Sequence, residues 1–501
     1  MKRLSGLMTL LVILTVMLAA CGGGPATPAE EPTEATTSEE ATPEDEMMEE
    51  EATPEDEMME EEATPEDEMM EEEATPEETE AMGEFEGTIK IATQSPLSGP
   101  QAAIGIGISN AAELGVEQLA GPLEEMGFTV ELEPFDDQAQ PEVGSANANS
   151  IISDPDILCV DGHYNSGVAL AALPTYESAN LAMVSPANTN PAITEDFPNA
   201  FRIVGRDDLQ GPIGAQFADE GLSAETIYIV HDQTDYGQGI AEFFQQEAES
   251  RGMTIQGFEG TQETSVFDSI LTPIQAQTPD VIYFAGIFSQ AGPFFSQARD
   301  RGIQAEFMGP DGLDNSELAE LGGEAVAGMH YTSVAAPVSQ FPDAAQFAQD
   351  YEAEYGESAP PFSAQAYDVV GICVEAIANA AETAGGKPSR EQVVEALRDL
   401  ASYEGITGTY TFDEDGDPDP ATYYVLQVNV EDWNANEVAS RIESSPPPEE
   451  ESGEEGTEMT EEGTEEEMME EEGASEEEMM EEEATPEEEM MEEEATEESG
   501  S

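Results

Sequence analysis

Two loops carry most of the chemistry that this chain can offer. The apolar run Ile157-Leu158-Cys159-Val160 stops at Gly162-His163-Tyr164-Asn165-Ser166-Gly167. A second run, Leu181-Ala182-Met183-Val184, stops at Ser185-Pro186-Ala187-Asn188-Thr189-Asn190-Pro191. Both loops are rich in hydroxyls, small residues and free backbone N–H groups, and Ser166 and Thr189 each lead a helical segment. Hydroxyls and N–H groups at helix starts bind carboxylates without a buried cation, each contact to a charged acceptor contributing about 1–3 kcal/mol. Helix capping accounts for the same hydroxyls, but two such loops on successive strands favour a ligand. An ammonium needs an acid instead. Asp311 closes the apolar run Phe307-Met308 between Gly309-Pro310 and Gly312, which sets it apart from the many acids expected to be solvated surface.

The elements that must position these loops alternate strand and helix. Strands are predicted over 88–93, 128–134, 157–160, 181–184, 200–204, 226–230, 253–258, 280–285, 305–308 and 328–334. Helices lie between most of them, such as 110–119, 239–251, 289–301 and 343–355. That alternation calls for parallel sheets covered on both faces, with ligands outside the carboxyl ends of the strands. Near the end the pattern changes to helices 363–384 and 390–400, then two adjacent strands, 406–412 and 422–430. Cys159 and Cys373 both fall in apolar patterns, one strand and one helix. Buried free thiols are the expectation, with a disulfide left open.

The ends of the chain differ from this middle. Lys2 and Arg3, the apolar core 7–18 and Leu18-Ala19-Ala20-Cys21 have the layout of an export signal, too short to span a membrane. ATPEDEMMEEE then recurs from Ala41, Ala52 and Ala63, and EEEMMEEEATP returns after Pro446. Such Glu-rich tracts bury too little apolar surface to offset ordering entropy, so 21–84 reads as a disordered tether of roughly 45 Å reach and 446–501 as an acidic tail. Asp and Glu number 113 against 12 Lys and Arg, for a net charge of −101. That balance argues against nucleic acid and against anionic lipid as partners.

Pro96-Leu97-Ser98-Gly99-Pro100, the 162–191 stretch, His231-Asp232-Gln233-Thr234-Asp235-Tyr236-Gly237 and Phe307-Met308-Gly309-Pro310-Asp311-Gly312 together resemble the branched-chain amino-acid-binding proteins of ABC importers. The resemblance implies an α/β, type I periplasmic-binding-protein fold. Two lobes, each a mainly parallel β-sheet flanked by helices, would join through a three-crossover hinge, with 85–206 and 335–412 in one lobe and 207–334 and 413–445 in the other. It implies carboxylate donors at Ser166, Thr189 and the backbone of Ala187, an ammonium partner at Asp311 with Asp207 at the first crossover contributing, and cleft aromatics at Tyr236 and Phe362. For Phe362 a core role is the stronger expectation. Leu18–Cys21 resembles a lipobox, implying lipid on Cys21, a membrane-anchored extracytoplasmic monomer, and a permease and ATPase as partners. Departures at Ile104 and Ile287, where aromatics are usual, keep the ligand open between branched-chain amino acids and an amide, urea or aromatic acid. Ala139 and Asn165 stand where some members carry a disulfide. A ligand-sensing receptor is the second reading.

An enzyme finds little support. His163 and Ser166 lack a nucleophile elbow and an orienting acid. His163, His231 and His330 show no metal-ligand spacing, Asn110 breaks the dinucleotide pattern after Gly105-Ile106-Gly107, and no phosphate-binding loop exists. No cofactor or metal is implied. Asp413, Asp415, Asp417 and Asp419 alternate like a calcium loop, but Pro418 and the missing closing Glu make a hairpin turn the better expectation.

Overall fold

The computed structural model describes residues 85–444. The expected export signal, Cys21, the tether and the acidic tail lie outside the described residues. The chain opens with β1 (Gly87–Ser95), α1 (Ala102–Leu119), α2 (Gly121–Met126), β2 (Phe128–Asp136), α3 (Pro141–Ser153) and β3 (Ile157–Gly162). α4 (Ser166–Ser178), β4 (Ala182–Ser185), α5 (Ala192–Glu195) and β5 (Ala200–Arg202) follow. The five strands form one parallel sheet in the order β2-β1-β3-β4-β5.

The chain then builds a second unit from α6 (Asp207–Glu220), β6 (Thr226–His231), α7 (Asp235–Ser250), β7 (Thr254–Gly260), α8 (Asp268–Gln277) and β8 (Val281–Ala285). α9 (Phe288–Asp300), β9 (Glu306–Gly309), α10 (Glu317–Gly322) and β10 (His330–Ser333) complete its parallel part. Next, α11 (Ala345–Tyr355), α12 (Ser363–Ala384) and α13 (Arg390–Arg398) return to the first unit, where α12 packs on α1 and β3. The chain ends with β11 (Tyr403–Glu404), β12 (Thr409–Tyr410), β13 (Ala421–Gln427) and β14 (Glu437–Ser444). The second sheet runs β14-β13-β10-β9-β8-β6-β7, parallel except where β13 meets β10 and β14. This is the expected α/β architecture, two mainly parallel sheets flanked by helices.

The local reasons are visible in the residues. Ile157 to Val160 are all buried because helices cover both faces of the first sheet. Thr234 caps α7, its hydroxyl accepting from the Gly237 N–H at 2.9 Å, and Gly385 ends α12 in the left-handed conformation at φ +68°.

Two expectations are corrected. Cys159 and Cys373 are not free thiols but a disulfide, Cα atoms 6.1 Å apart; α12 lies across β3 and brings the two buried positions face to face. The strand expected over 406–412 shrinks to Thr409–Tyr410, paired with Tyr403–Glu404. Its first residues are diverted, because the N–H groups of Ile406 and Thr407 donate to the Asp368 carboxylate at 2.8 and 2.9 Å. It therefore does not pair with β13, whose neighbours are β10 and β14. As expected, Asp413–Asp417 is a turn, the Asp413 Oδ1 accepting from the N–H groups of Asp415, Gly416 and Asp417.

Candidate ligand-binding site

Both sheets turn the carboxyl ends of their strands towards one small cavity. From the first unit, Tyr164, Asn165 and Ser166 reach it after β3, and Ala187 and Thr189 after β4. From the second, Tyr236 follows β6, Ile287 follows β8, and Asp311 and Gly312 follow β9. In each sheet the strand order reverses beside these positions (β1 against β3, β6 against β8), the usual place for ligands in open α/β sheets. The units touch at the rim, where the Asn190 Nδ2 donates to the Asp235 carbonyl at 3.2 Å.

The first unit's side is a rigid set of donors. Ser166 is the first residue of α4, 2% exposed, its hydroxyl without a hydrogen-bond partner among the described residues. Asn188 ties the two loops together: its Oδ1 accepts from the His163 N–H at 3.2 Å and its Nδ2 donates to the Tyr164 carbonyl at 2.9 Å. The Ser185 hydroxyl accepts from the N–H groups of Ala187 and Asn188 at 3.1 and 2.7 Å. The Ala187 N–H, expected to serve a ligand's carboxylate, is thus already engaged by Ser185. Behind this loop lies Arg202, fully buried. It donates to the carbonyls of Asn188 and Asn190 at 3.0 and 2.9 Å, while its Nε meets Asp417 at 2.6 Å. Arg206 reaches the other Asp417 oxygen at 2.9 Å. Burial pushes the Asp417 carboxyl up, but the two guanidiniums prevail and hold it below the usual carboxylate range.

The second unit's side is acidic. Asp311 is 4% exposed and accepts from the Tyr236 hydroxyl at 2.7 Å. Tyr236 in turn accepts from the Gly312 N–H at 2.8 Å. Only glycine permits that approach, since a Cβ at 312 would sit 2.5 Å from the Gly286 carbonyl oxygen and 2.9 Å from the Tyr236 ring. Burial raises the Asp311 carboxyl to about 6, against hydrogen bonds from Tyr236 and Gln210 that lower it. Asp207 opens α6, fully buried, its N–H donating to the Thr189 carbonyl at 2.8 Å. Neither of its carboxylate oxygens has a close hydrogen-bond donor, although the Thr189 hydroxyl stands near enough to lower it slightly. Burial and then the Asp311 charge push it well above the ordinary range.

Of the residues singled out from sequence, Ser166, Ala187, Thr189, Tyr236 and Asp311 meet in one cavity. Asp207 lies just behind it, against Thr189. Phe362 is core, 1% exposed, stacked edge-on against Tyr164 at 5.8 Å and absent from the cavity wall. His163 braces the loop from beneath, its Nε2 3.2 Å from the Gln94 Nε2. Sequence reasoning missed Tyr164 and Asn165, which adjoin Ser166, and above all Arg202. A basic residue inside Ala200-Phe201-Arg202-Ile203-Val204, in a chain so poor in cations, was the available signal. Among the described residues no group of three or more His, Cys, Asp or Glu is placed to hold a metal, and no helix is long and apolar enough to cross a membrane.

A model of the periplasmic binding protein family matches residues 88–435, most of the chain. The chain belongs to the periplasmic binding protein family. Its members are extracytoplasmic solute binders rather than enzymes. This periplasmic binding protein is similar to the leucine-, isoleucine-, valine-, threonine- and alanine-binding protein of Pseudomonas aeruginosa, 32% identical over 332 residues, 66% of this chain and 87% of that one. Among solved structures it is similar to a leucine-binding protein from Thermotoga maritima (27% identity, TM-score 0.64, 71% of this chain and 98% of that one). It is also similar to a branched-chain amino-acid transporter substrate-binding protein from Streptococcus pneumoniae solved with isoleucine (25%, TM-score 0.63, 72% and 100%).

Proposed function

We propose that this binding protein captures a free α-amino acid with a branched-chain or similarly small apolar side chain and delivers it to an ABC importer. The carrying observation is that one small cavity joins cation-free carboxylate donors from one unit to a buried acid, Asp311, from the other. In this reading the Ser166 hydroxyl, the Thr189 hydroxyl and the start of α4 take the ligand's carboxylate. Asp311, supported by Tyr236 and Asp207, takes its ammonium together with the Ala187 carbonyl. Tyr164 and Ile287 face its side chain. Ligand meets one lobe first, and contacts from the second drive closure, because only differential affinity shifts an open–closed equilibrium.

The ends of the chain fit the same role. Residues 1–20 act as an export signal, lipid on Cys21 anchors a monomer to the membrane, and residues 21–84 let the folded domain reach a permease–ATPase complex. Calorimetric titration of the full-length chain with leucine, isoleucine, valine, threonine, alanine, urea and benzoate tests the central claim. Saturable binding of an amino acid at micromolar or lower Kd, with urea and benzoate silent, is expected. Binding only of ligands without an ammonium would overturn it.

A further inference from the structure

The three crossovers between the units meet around a second cleft, of about 470 Å³, that shares no residue with the ligand cavity. Gly205 borders it from the first crossover, Phe341 from the second and Pro420 from the third. Tyr410 of the first unit and Tyr424 of the second line its walls, both nearly buried. Gln365, near the start of α12, is 4% exposed and also on the wall, and its amide has no hydrogen-bond partner among the described residues. Buried amides are almost always bonded, so this one marks a place for an occupant that brings hydrogen-bonding groups of its own. The size suits one, since ligand pockets run from roughly 300 to 1,000 Å³.

The chain itself supplies that occupant. β14 runs antiparallel to β13, and its last residue, Ser444, lies opposite Ala421, the first of β13. Ala421, Arg441 and Glu443 all line the cleft, so β14 delivers the chain to its edge. The next residues are Ser445-Pro446-Pro447-Pro448, followed by Glu449-Glu450-Glu451. A proline run favours extended polyproline geometry before it docks, and it offers carbonyl acceptors with no N–H of its own to satisfy. Such runs dock into aromatic-lined grooves, and the unbonded Gln365 amide supplies a donor. At roughly 3.1 Å per residue, 445–448 spans about 12 Å. Two rivals are weaker. A second copy would have to approach against a net charge of −101 on each chain. A free solute would compete with a segment tethered at the cleft's edge, at an effective concentration in the millimolar range.

We propose that residues 445–448 seat in this cleft and brace the two units in the arrangement seen here, where they touch at the rim of the ligand cavity through Asn190 and Asp235. An occupant held by all three crossovers and both units resists hinge bending, because bending moves the walls it fits. It favours the ligand-holding form to the extent that it fits that form better than an open one.

Disulfide trapping in the full-length chain tests the seat. Thr409 is exposed on the cleft wall. Thr409→Cys is combined with Pro447→Cys, and with Cys21→Ala to leave no other thiol outside the Cys159–Cys373 disulfide. A crosslink within one chain is expected, forming at least about tenfold faster than with Gly456→Cys in place of Pro447→Cys. Equal rates for the two positions would overturn the seat. Crosslinks only between chains would also overturn it, by handing the cleft to a second copy. The brace is read by calorimetric titration with L-leucine, a readout that rests on the proposed amino-acid ligand. Pro446→Gly, Pro447→Gly and Pro448→Gly together should raise Kd at least about fivefold, and an unchanged Kd would overturn the brace even where the crosslink forms. If neither leucine nor any other amino acid binds the native chain, the ligand assignment falls, and the crosslinking rates alone decide the seat.

Discussion

Asp311→Asn should weaken ligand binding while strengthening the empty fold, and the opposed signs make the variant informative. A carboxyl raised from 3.8 to about 6 costs the folded state about 3 kcal/mol once both states are ionised. Because the folded value is raised, that stability is present in full below pH 4, falls as pH rises to 6, and is gone above. Asparagine carries no such cost, and its carbonyl oxygen still accepts from Tyr236. Denaturant unfolding at pH 7 without ligand should therefore show the variant up to about 3 kcal/mol more stable, and at pH 4 the two should converge. Binding moves the other way. Removing one partner of a buried charge pair costs about 2–5 kcal/mol, which corresponds to a Kd raised from about 30-fold to several thousandfold at pH 7, the lower end applying if Asp207 takes over part of the ammonium. A variant that is less stable at pH 7, or that binds within about threefold of the native chain, would refute the placement of a ligand ammonium against Asp311.

Three further outcomes follow from buried groups elsewhere. Reducing Cys159–Cys373, which closes a separation of 214 residues, should lower unfolding free energy by up to about 5 kcal/mol, read as a drop in the urea midpoint with reductant that Cys159→Ser abolishes. Arg202→Met strips the Asn188 and Asn190 carbonyls and leaves Asp417 with Arg206 as its one cation beside the Thr194 hydroxyl; a loss of about 3–5 kcal/mol is expected by urea unfolding, with weaker leucine binding in the fraction that folds. Asp161, fully buried with both oxygens unpartnered, is raised well above the ordinary carboxylate range by burial, so its contribution falls as pH rises from 4. Asp161→Asn should raise the thermal midpoint at pH 7 and flatten its pH dependence, and a lowered midpoint would mean that the carboxylate has a partner role.

How far the sequence carried depended on the range of the interaction that decides each feature. Helix 363–384 was legible to the residue, because an apolar Ala-rich run, a closing glycine and burial all agree locally. The loops after β3 and β4 were legible for the same reason, as abrupt ends of buried strands. β14 was not. Its residues alternate exposed and half-buried on a sheet edge, a weak period-2 signal next to a Pro- and Glu-rich tail. The truncated strand at 406–412 failed because its N–H groups are taken by Asp368, which lies far back in the chain. The disulfide and Arg202–Asp417 are likewise partnerships across long separations, set by topology and invisible to any local pattern. Within the site, loop position and the family resemblance picked out Ser166, Ala187, Thr189, Tyr236 and Asp311, which line one cavity. What they left out were the groups that hold those donors in place.

Those holding groups share one chemistry. Arginine in this cation-poor chain is repeatedly used to gather backbone carbonyls. Arg202 takes those of Asn188 and Asn190, and Arg390 those of Ile151, Ile152, Asp154 and Ile157. Arg299 takes Ile303 and Ala305, and Arg398 takes Pro198, Glu414 and Asp415. A planar guanidinium with five donors suits the task; an ammonium, compact and strongly hydrated, does not span several fixed carbonyls. At Arg202 this has a consequence for the ligand. Its charge is matched by Asp417 and its donors are taken by the loop's carbonyls, so the loop is held in place while no cation lines the cavity. On the proposed assignment a ligand's carboxylate is met by neutral dipoles and its ammonium by carboxylates. The proposed site is therefore expected to select a zwitterion over a plain anion, since an anion lacking the ammonium would leave Asp207 and Asp311 without a counter-charge; comparing leucine with 4-methylpentanoate by calorimetry checks this.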